Sequence, residues 1–176
     1  MLENYFLERA PGQIHENAIK IFGLDSMLIT AGKKDNFNTM TAAWGGLGFL
    51  WKKPVAFIFI RPQRYTYGFV EKNEDFTLCF FEPKYQSILD YCGNHSGRDT
   101  DKIKFTGLTP LETKRNNIVF SQAKLILECR KWYFDDINPE HFLDPRIEKL
   151  YPINDFHRMY FGEILYCGEK IIIRPT

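Results

Sequence analysis

The chain of 176 residues predicts a mainly β fold, an antiparallel barrel of six or seven strands carrying two or three short helices. Three observations lead there. Aromatic residues make up 16% of the chain, with 16 Phe and 9 Tyr, and such side chains fit the pleated, half-buried surface of a sheet. Short apolar runs are punctuated by Pro54, Pro62 and Pro83 and by the polar turn from Gly32 to Asn36. Long helical patterns do not alternate with the strands, so a doubly wound parallel sheet is disfavoured. A hydrophobic fraction of 44% with 26% charged residues supports one folded domain over residues 1–176.

The elements follow in order. Met27 to Ala31 reads as a strand, and Phe37 to Leu47 as its neighbour across a hairpin with a longer loop. Val55 to Ile60 is continuously apolar between two prolines, as expected of a strand buried on both faces. Tyr65 to Lys72 suits a short helix, Phe76 to Phe81 a strand ended by Pro83, and Tyr85 to Tyr91 a second helix that runs into the polar loop Gly93 to Asp101. Ile118 to Lys131 reads as the longest strand. Ser121, Ala123, Leu125, Leu127 and Cys129 would take one face, and Gln122, Lys124, Glu128 and Arg130 a wet one. Asp135 to Pro152 is charged and holds Pro139, Pro145 and Pro152, so it reads as an excursion from the barrel with a short helix near Arg146 to Leu150. Phe156 to Tyr166 returns to strand, and Ile171 to Ile173 forms a last one.

Several function classes drop out. A net charge of +1 lacks the basic excess of a nucleic-acid binder. The four cysteines, Cys79, Cys92, Cys129 and Cys167, form no C-x-x-C pair, and no histidine cluster has metal-ligand spacing, so no metal site is expected. Three of the thiols read as core residues in a reducing compartment, while Cys92, beside the polar loop, is expected to be partly exposed. No apolar run approaches the roughly 20 residues of a membrane helix, and the N-terminus lacks the build of a signal peptide. A cytoplasmic location away from membranes is expected. Gly45-Gly46-Leu47-Gly48 lacks the dinucleotide-binding glycine pattern.

Three segments carry candidate chemistry. Asn38-Thr39-Met40-Thr41-Ala42-Ala43-Trp44 places small and hydroxyl residues where a strand usually carries bulk, leaving room for a planar ring above the main chain or for a neighbouring aromatic. Arg61-Pro62-Gln63-Arg64-Tyr65-Thr66 opens a helix, with Thr66 able to cap it. Free N–H groups and arginines there suit a phosphate; equally, it reads as a capped helix with two solvated arginines. Ser96-Gly97-Arg98-Asp99-Thr100-Asp101-Lys102 offers a turn glycine and donors, with Asp99 and Asp101 placed to pair Arg98 and Lys102. His157 stands at a strand start, where a lone histidine is more often structural than catalytic. Trp132-Tyr133-Phe134 reads as packing, a subunit contact or the border of a pocket.

Taken in order, residues 38–44, 61–67, 96–102 and 157–164 (His-Arg-Met-Tyr-Phe-Gly-Glu-Ile) resemble the signature segments of the flavin reductase-like family, and most closely its flavoredoxin branch. The resemblance spans Ser26 to Ile173 and implies an FMN-binding split β-barrel. It implies that Asn38, Thr39, Met40, Thr41 and Ala42 line the flavin ring, that Arg61, Pro62, Arg64, Tyr65 and Thr66 hold the ribityl phosphate, and that Ser96, Gly97, Arg98 and Lys102 complete the phosphate side. His157 would approach the ring or the entry of the nicotinamide. It further implies a homodimer, with the 135–152 excursion covering the flavin or building the subunit contact. Two activities are consistent with this: an oxidoreductase that takes hydride from NADH or NADPH through FMN to an acceptor, and an FMN carrier that shuttles electrons between protein partners.

Overall fold

A computed structural model describes residues 1–171. Strands β1 (Phe6–Glu8), β2 (Met27–Lys33), β3 (Asn36–Ala42), β4 (Gly45–Leu50), β5 (Lys53–Ile60), β6 (Asp75–Phe80), β9 (Leu125–Asp136) and β10 (Arg158–Lys170) form one antiparallel sheet. Its order is β3-β2-β6-β9-β10-β5-β4, and β1 lies against the far end of β10. A separate hairpin pairs β7 (Pro110–Glu112) with β8 (Ile118–Phe120). Helices α1 (Tyr65–Lys72), α2 (Gln86–Asn94) and α3 (Lys102–Thr106) lie in the connections. This is the split barrel expected, with eight strands in the main sheet where the sequence pattern gave six or seven. The added strand β1 is only three residues long, and Phe37 to Leu47 is two strands, broken at Ala43-Trp44.

Two cores result from strands that bury both faces. The barrel interior holds Ile29, Ile58, Ile60, Phe76, Leu78, Leu127 and Tyr160. A second core, with Leu28, Cys79, Leu89, Phe120 and Ile126, lies between the sheet, α2 and the β7–β8 hairpin. The packing of the two cores corrects three expectations. Ile118 to Lys131 is broken by a turn at Ser121–Lys124, and the face expected to be wet is covered: Glu128 is buried, accepting from Thr113 Oγ1 and, at 2.8 Å, from Asn117 Nδ2. Cys92 is fully buried like the other three thiols, because α2 turns it inward. Val55 to Ile60 is buried on one face; on the other, Phe57 and Phe59 are half-buried and touch mainly other rings.

The remaining boundaries differ in smaller ways. β9 runs on through Asp136, so the excursion is 137–157, with single helical turns at Pro139–His141 and Glu148–Leu150. β10 is continuous to Lys170, and the Ile171 backbone N–H donates to Tyr5 O. The strand expected at Ile171 to Ile173 falls mostly outside the described residues. No helix among those residues is long and apolar enough to cross a membrane, and no group of potential metal ligands occurs among them.

Candidate functional site

β3, the turn between β5 and α1, the end of α2 and the segment before β10 converge on one trough. Its wide end encloses about 340 Å³ between Met40, Thr41, Ala42, Trp44, Phe59 and His157. Its narrow end encloses about 210 Å³ between Asn38, Tyr65, Thr66, Ser96, Arg98 and Lys102. Met40, Arg64, Gly93 and Asn94 line both. The small residues after Met40 therefore do leave open space, as their sizes implied.

At the wide end His157 packs against Trp44, with ring centroids 4.5 Å apart, and its Nδ1 lies 2.9 Å from the Tyr151 hydroxyl. Burial, with the Arg61 guanidinium adding to it, pushes the His157 pKa down to about 4. The ring is thus neutral at neutral pH, with one nitrogen donating and the other accepting. Arg61 is not free for an anion. Its Nη1 donates to Asp155 Oδ2 at 2.6 Å, its Nη2 donates to Leu150 O at 2.8 Å, and its guanidinium lies 5.0 Å over the Tyr151 ring. Gln63 Nε2 donates to the same Asp155 oxygen. The Arg61 hydrogen bond holds the Asp155 carboxyl below the usual carboxylate range. Arg61 is a strut that ties the 137–157 excursion to the barrel and closes this end of the trough.

At the narrow end the cations have no carboxylate partner among the described residues. Arg64 Nη2 donates to Gly93 O at 2.9 Å, and burial lowers its pKa. Arg98 lies 4.9 Å over the Tyr65 ring and donates to Gln63 O at 3.3 Å. Lys102 is buried, and Nζ donates to Thr39 O at 2.8 Å and Cys92 O at 2.9 Å. An ammonium has three protons, so one remains for another acceptor. Burial among carbonyls brings the Lys102 pKa down to about 8. Gly97 lets the loop seat against β3: a Cβ there would stand 2.0 Å from Asn38 Oδ1, so any larger residue forces the loop or the Asn38 side chain, which is held by Thr66, to shift.

The other sequence candidates divide. Asn38 Nδ2 donates to Thr66 Oγ1 at 2.7 Å, so Thr66 ties α1 to β3 and does not cap the helix; the capping position is Arg64. Thr39 turns its hydroxyl to Thr30 Oγ1, 2.9 Å away, and contributes only its carbonyl to the Lys102 site. Pro62 lines a separate groove on the other side of α1. Ser96 Oγ accepts from Arg98 N–H at 3.2 Å, holding the loop's own turn. Asp99 and Asp101 form no ion pair with Arg98 or Lys102: Asp101 caps α3 by accepting from Lys104 N–H at 3.0 Å. Trp44, Phe59, Asn94, Tyr151 and Asp155 were not singled out for the site. Trp44 closes the small-residue motif and was readable from it, whereas Asp155 meets Arg61 from 94 residues away and had no local signal.

An antiparallel split barrel with a trough between its first hairpin and its helix-bearing loops defines the class. The chain belongs to the flavin reductase like domain family, whose model matches residues 22–165. Its fold is similar to that of an FMN-binding protein from Thermus thermophilus, at 19% identity over 92% of this chain and 76% of that one, with a TM-score of 0.65. An FMN-binding domain of a flavin reductases-like enzyme from Shewanella baltica is 15% identical over 93% and 76% of the chains, with a TM-score of 0.68. Flavoredoxin of Desulfovibrio vulgaris is 19% identical over 93% and 76%, with a TM-score of 0.65. No curated protein matches the chain in sequence.

Proposed function

We propose that the trough holds FMN and that the protein is an oxidoreductase passing hydride or electrons from NADH or NADPH to an acceptor. The observation that carries this reading is the division of charge along the trough. The wide end has small residues and rings, with Arg61 neutralised by Asp155, and Arg64, shared by both ends, joins Arg98 and Lys102 at the narrow end as three cations facing no carboxylate among the described residues. A flat ring carrying a phosphate matches that division. Met40, Thr41 and Ala42 with Trp44 would border the ring. Arg64, Arg98 and the third proton of Lys102 would hold the phosphate, with Gly97 keeping their loop close to Asn38. Bound flavin supplies the hydride chemistry, and the protein orients it and tunes its electronics. His157, neutral and fixed by Tyr151 and Trp44, would flank the nicotinamide entry without adding a charge. Arg61 would act only through the wall it braces.

The aromatic face beside the trough fits the homodimer that the resemblance implied. Phe59 lines the trough and meets Phe57, which meets Phe161 and then Tyr133, while Trp51 packs on Tyr133 and Trp132. Trp51, Trp132 and Tyr133 are exposed, and a contiguous apolar face of this kind marks an interaction surface. A second copy seated there would cover the trough's edge.

The visible spectrum of the purified protein, recorded before and after anaerobic NADH and NADPH, tests the reading. Yellow protein bleached by either nucleotide supports the oxidoreductase. Yellow protein bleached by neither points to the carrier, and protein that takes up no FMN overturns the flavin assignment.

A further inference from the structure

We infer that the free edge of β4 pairs antiparallel with β4 of a second copy, and that this pairing carries the partner's Trp51 to the mouth of the trough. The inference names a contact for the homodimer proposed above and rests on that reading. β4 is an end strand of the sheet, with β5 as its one neighbour. The β4–β5 turn fixes which of its groups are free. Leu50 and Lys53 face each other across Trp51 and Lys52, whose φ values of 49° and 62° belong to a type I′ hairpin. Neither turn residue is glycine. A bulky residue held there is strained, so Trp51 stands at the tip for what it touches. In such a hairpin Leu50 exchanges both backbone bonds with Lys53, Gly48 with Val55 and Gly46 with Phe57. Gly45, Leu47 and Phe49 then turn their N–H and C=O groups outward, and no other group among the described residues bonds them. Pro54, which has no N–H to give, stands opposite Phe49, as this alternation allows.

An unpaired strand is a template for another chain, and edges are normally blunted by charge, proline or cover. The opposite edge is covered: the Thr39 carbonyl of β3 accepts from Lys102, and the Thr41 hydroxyl donates to Leu89 O of α2. Gly45 to Leu50 has neither charge nor proline, and Phe49 is 75% exposed. The edge also complements itself. A two-fold axis at Leu47 sets it against the partner's Leu47, and sets Phe49 against the partner's Gly45. Each outward N–H then meets an outward C=O, and a large ring meets a residue without a side chain. Like charges stay apart in this register, because Lys53 is paired with Glu163 at 2.8 Å and Lys52 lies beyond the strand. Two residues further on, Trp51 falls against the partner's Ala43. Ala43 and Trp44 line the wide end of the trough, so each copy's Trp51 closes the other's mouth. Trp51 also packs on Trp132 and Tyr133, which makes the aromatic face continuous with the edge.

Light scattering on wild type and Phe49→Pro, with and without FMN, tests the contact. Proline at this position removes only an outward N–H, so the hairpin is kept. Phe49→Lys, which puts a charge on the edge, repeats the test should proline unfold the chain. We expect wild type to be a dimer and either variant to raise the dimer Kd about tenfold or more, with circular dichroism unchanged. The resulting monomer should bind FMN about threefold or more weakly, yet keep the wild-type preference for FMN over riboflavin, because the narrow end lies away from the contact. Gly48 has room for a side chain, with Val55 Cγ2 at 3.8 Å from an added Cβ, and the register puts it about 7–8 Å from the partner's Gly48. The native thiols are buried, so a short bismaleimide should join Gly48→Cys into covalent dimers. A wild-type monomer overturns the homodimer and the edge contact together. A dimer that Phe49→Pro and Phe49→Lys leave intact, or that Gly48→Cys does not cross-link, overturns the edge contact alone. A folded monomer with wild-type FMN affinity overturns the reach of Trp51 into the trough.

Discussion

Arg61 and Arg64 stand three positions apart at the mouth of one helix, and the fold gives them opposite tasks. Arg61 meets a carboxylate, a carbonyl and a ring from the 137–157 excursion, and its charge is spent on holding that segment. Arg64 has one carbonyl and no carboxylate among the described residues, and it sits where both ends of the trough meet. The residue types are identical, and the partners brought by distant chain decide which cation is spare. A carboxylate-paired arginine braces a wall, and an unpaired one in a cavity is the better candidate for an anion.

The comparison can be broken at several points. The largest effect is expected at Gly97, where any Cβ collides with the Asn38 side chain. Gly97→Ala should push the loop off β3, scatter Arg98 and Lys102 and abolish FMN uptake. Its circular dichroism should stay close to wild type, since the loop lies outside the two cores. Next comes pH. Lys102 has a folded pKa lowered to about 8, and an anion beside it favours the protonated form. FMN affinity should therefore be level between about pH 7, where the phosphate is a dianion, and about pH 8, and fall above it, approaching about tenfold per pH unit. Lys102→Met should bind FMN more weakly and remove that bend in the profile.

Arg61→Ala should release the excursion and cost about 1 kcal/mol of stability, read as a lower denaturation midpoint. In the same variant the preference for a phosphorylated flavin should persist. A separate effect is the acid limb of stability. The pKa of His157 is lowered in the folded chain to about 4, below its ordinary value of 6.5, so between these values the unfolded chain binds more protons. Its contribution is present above pH 6.5 and is lost as pH falls through that window. Urea midpoints of His157→Gln should vary less than wild type over that range.

Much of the barrel was legible because apolar runs and prolines mark strands locally. Met27–Lys33, Lys53–Ile60 and Asp75–Phe80 fall close to where those runs lie. What was not legible depends on cover from elsewhere. Glu128 reads as a solvated strand residue until the β7–β8 hairpin brings Thr113 and Asn117 onto it. β1 is too short to stand out, and its pairing with β10 joins the two ends of the chain. At the site, the small residues of β3, Gly97, Arg64 and Lys102 are brought together as the ordered motifs implied. Thr66, Thr39 and Arg61 turn to protein partners 28, 9 and 94 residues away, which no spacing within a motif could show.

The claim that the narrow end recognises a phosphate is tested most directly by measuring FMN and riboflavin affinities in wild type, Arg64→Ala and Arg61→Ala. Riboflavin lacks only the phosphate, so the ratio of the two affinities isolates that group from any change in the fold. Wild type should prefer FMN. Arg64→Ala should lose about 1.5–3 kcal/mol of that preference, the worth of a charge-assisted hydrogen bond, while Arg61→Ala should keep it. An unchanged ratio in Arg64→Ala, or a collapsed one in Arg61→Ala, would contradict the assignment of the two arginines.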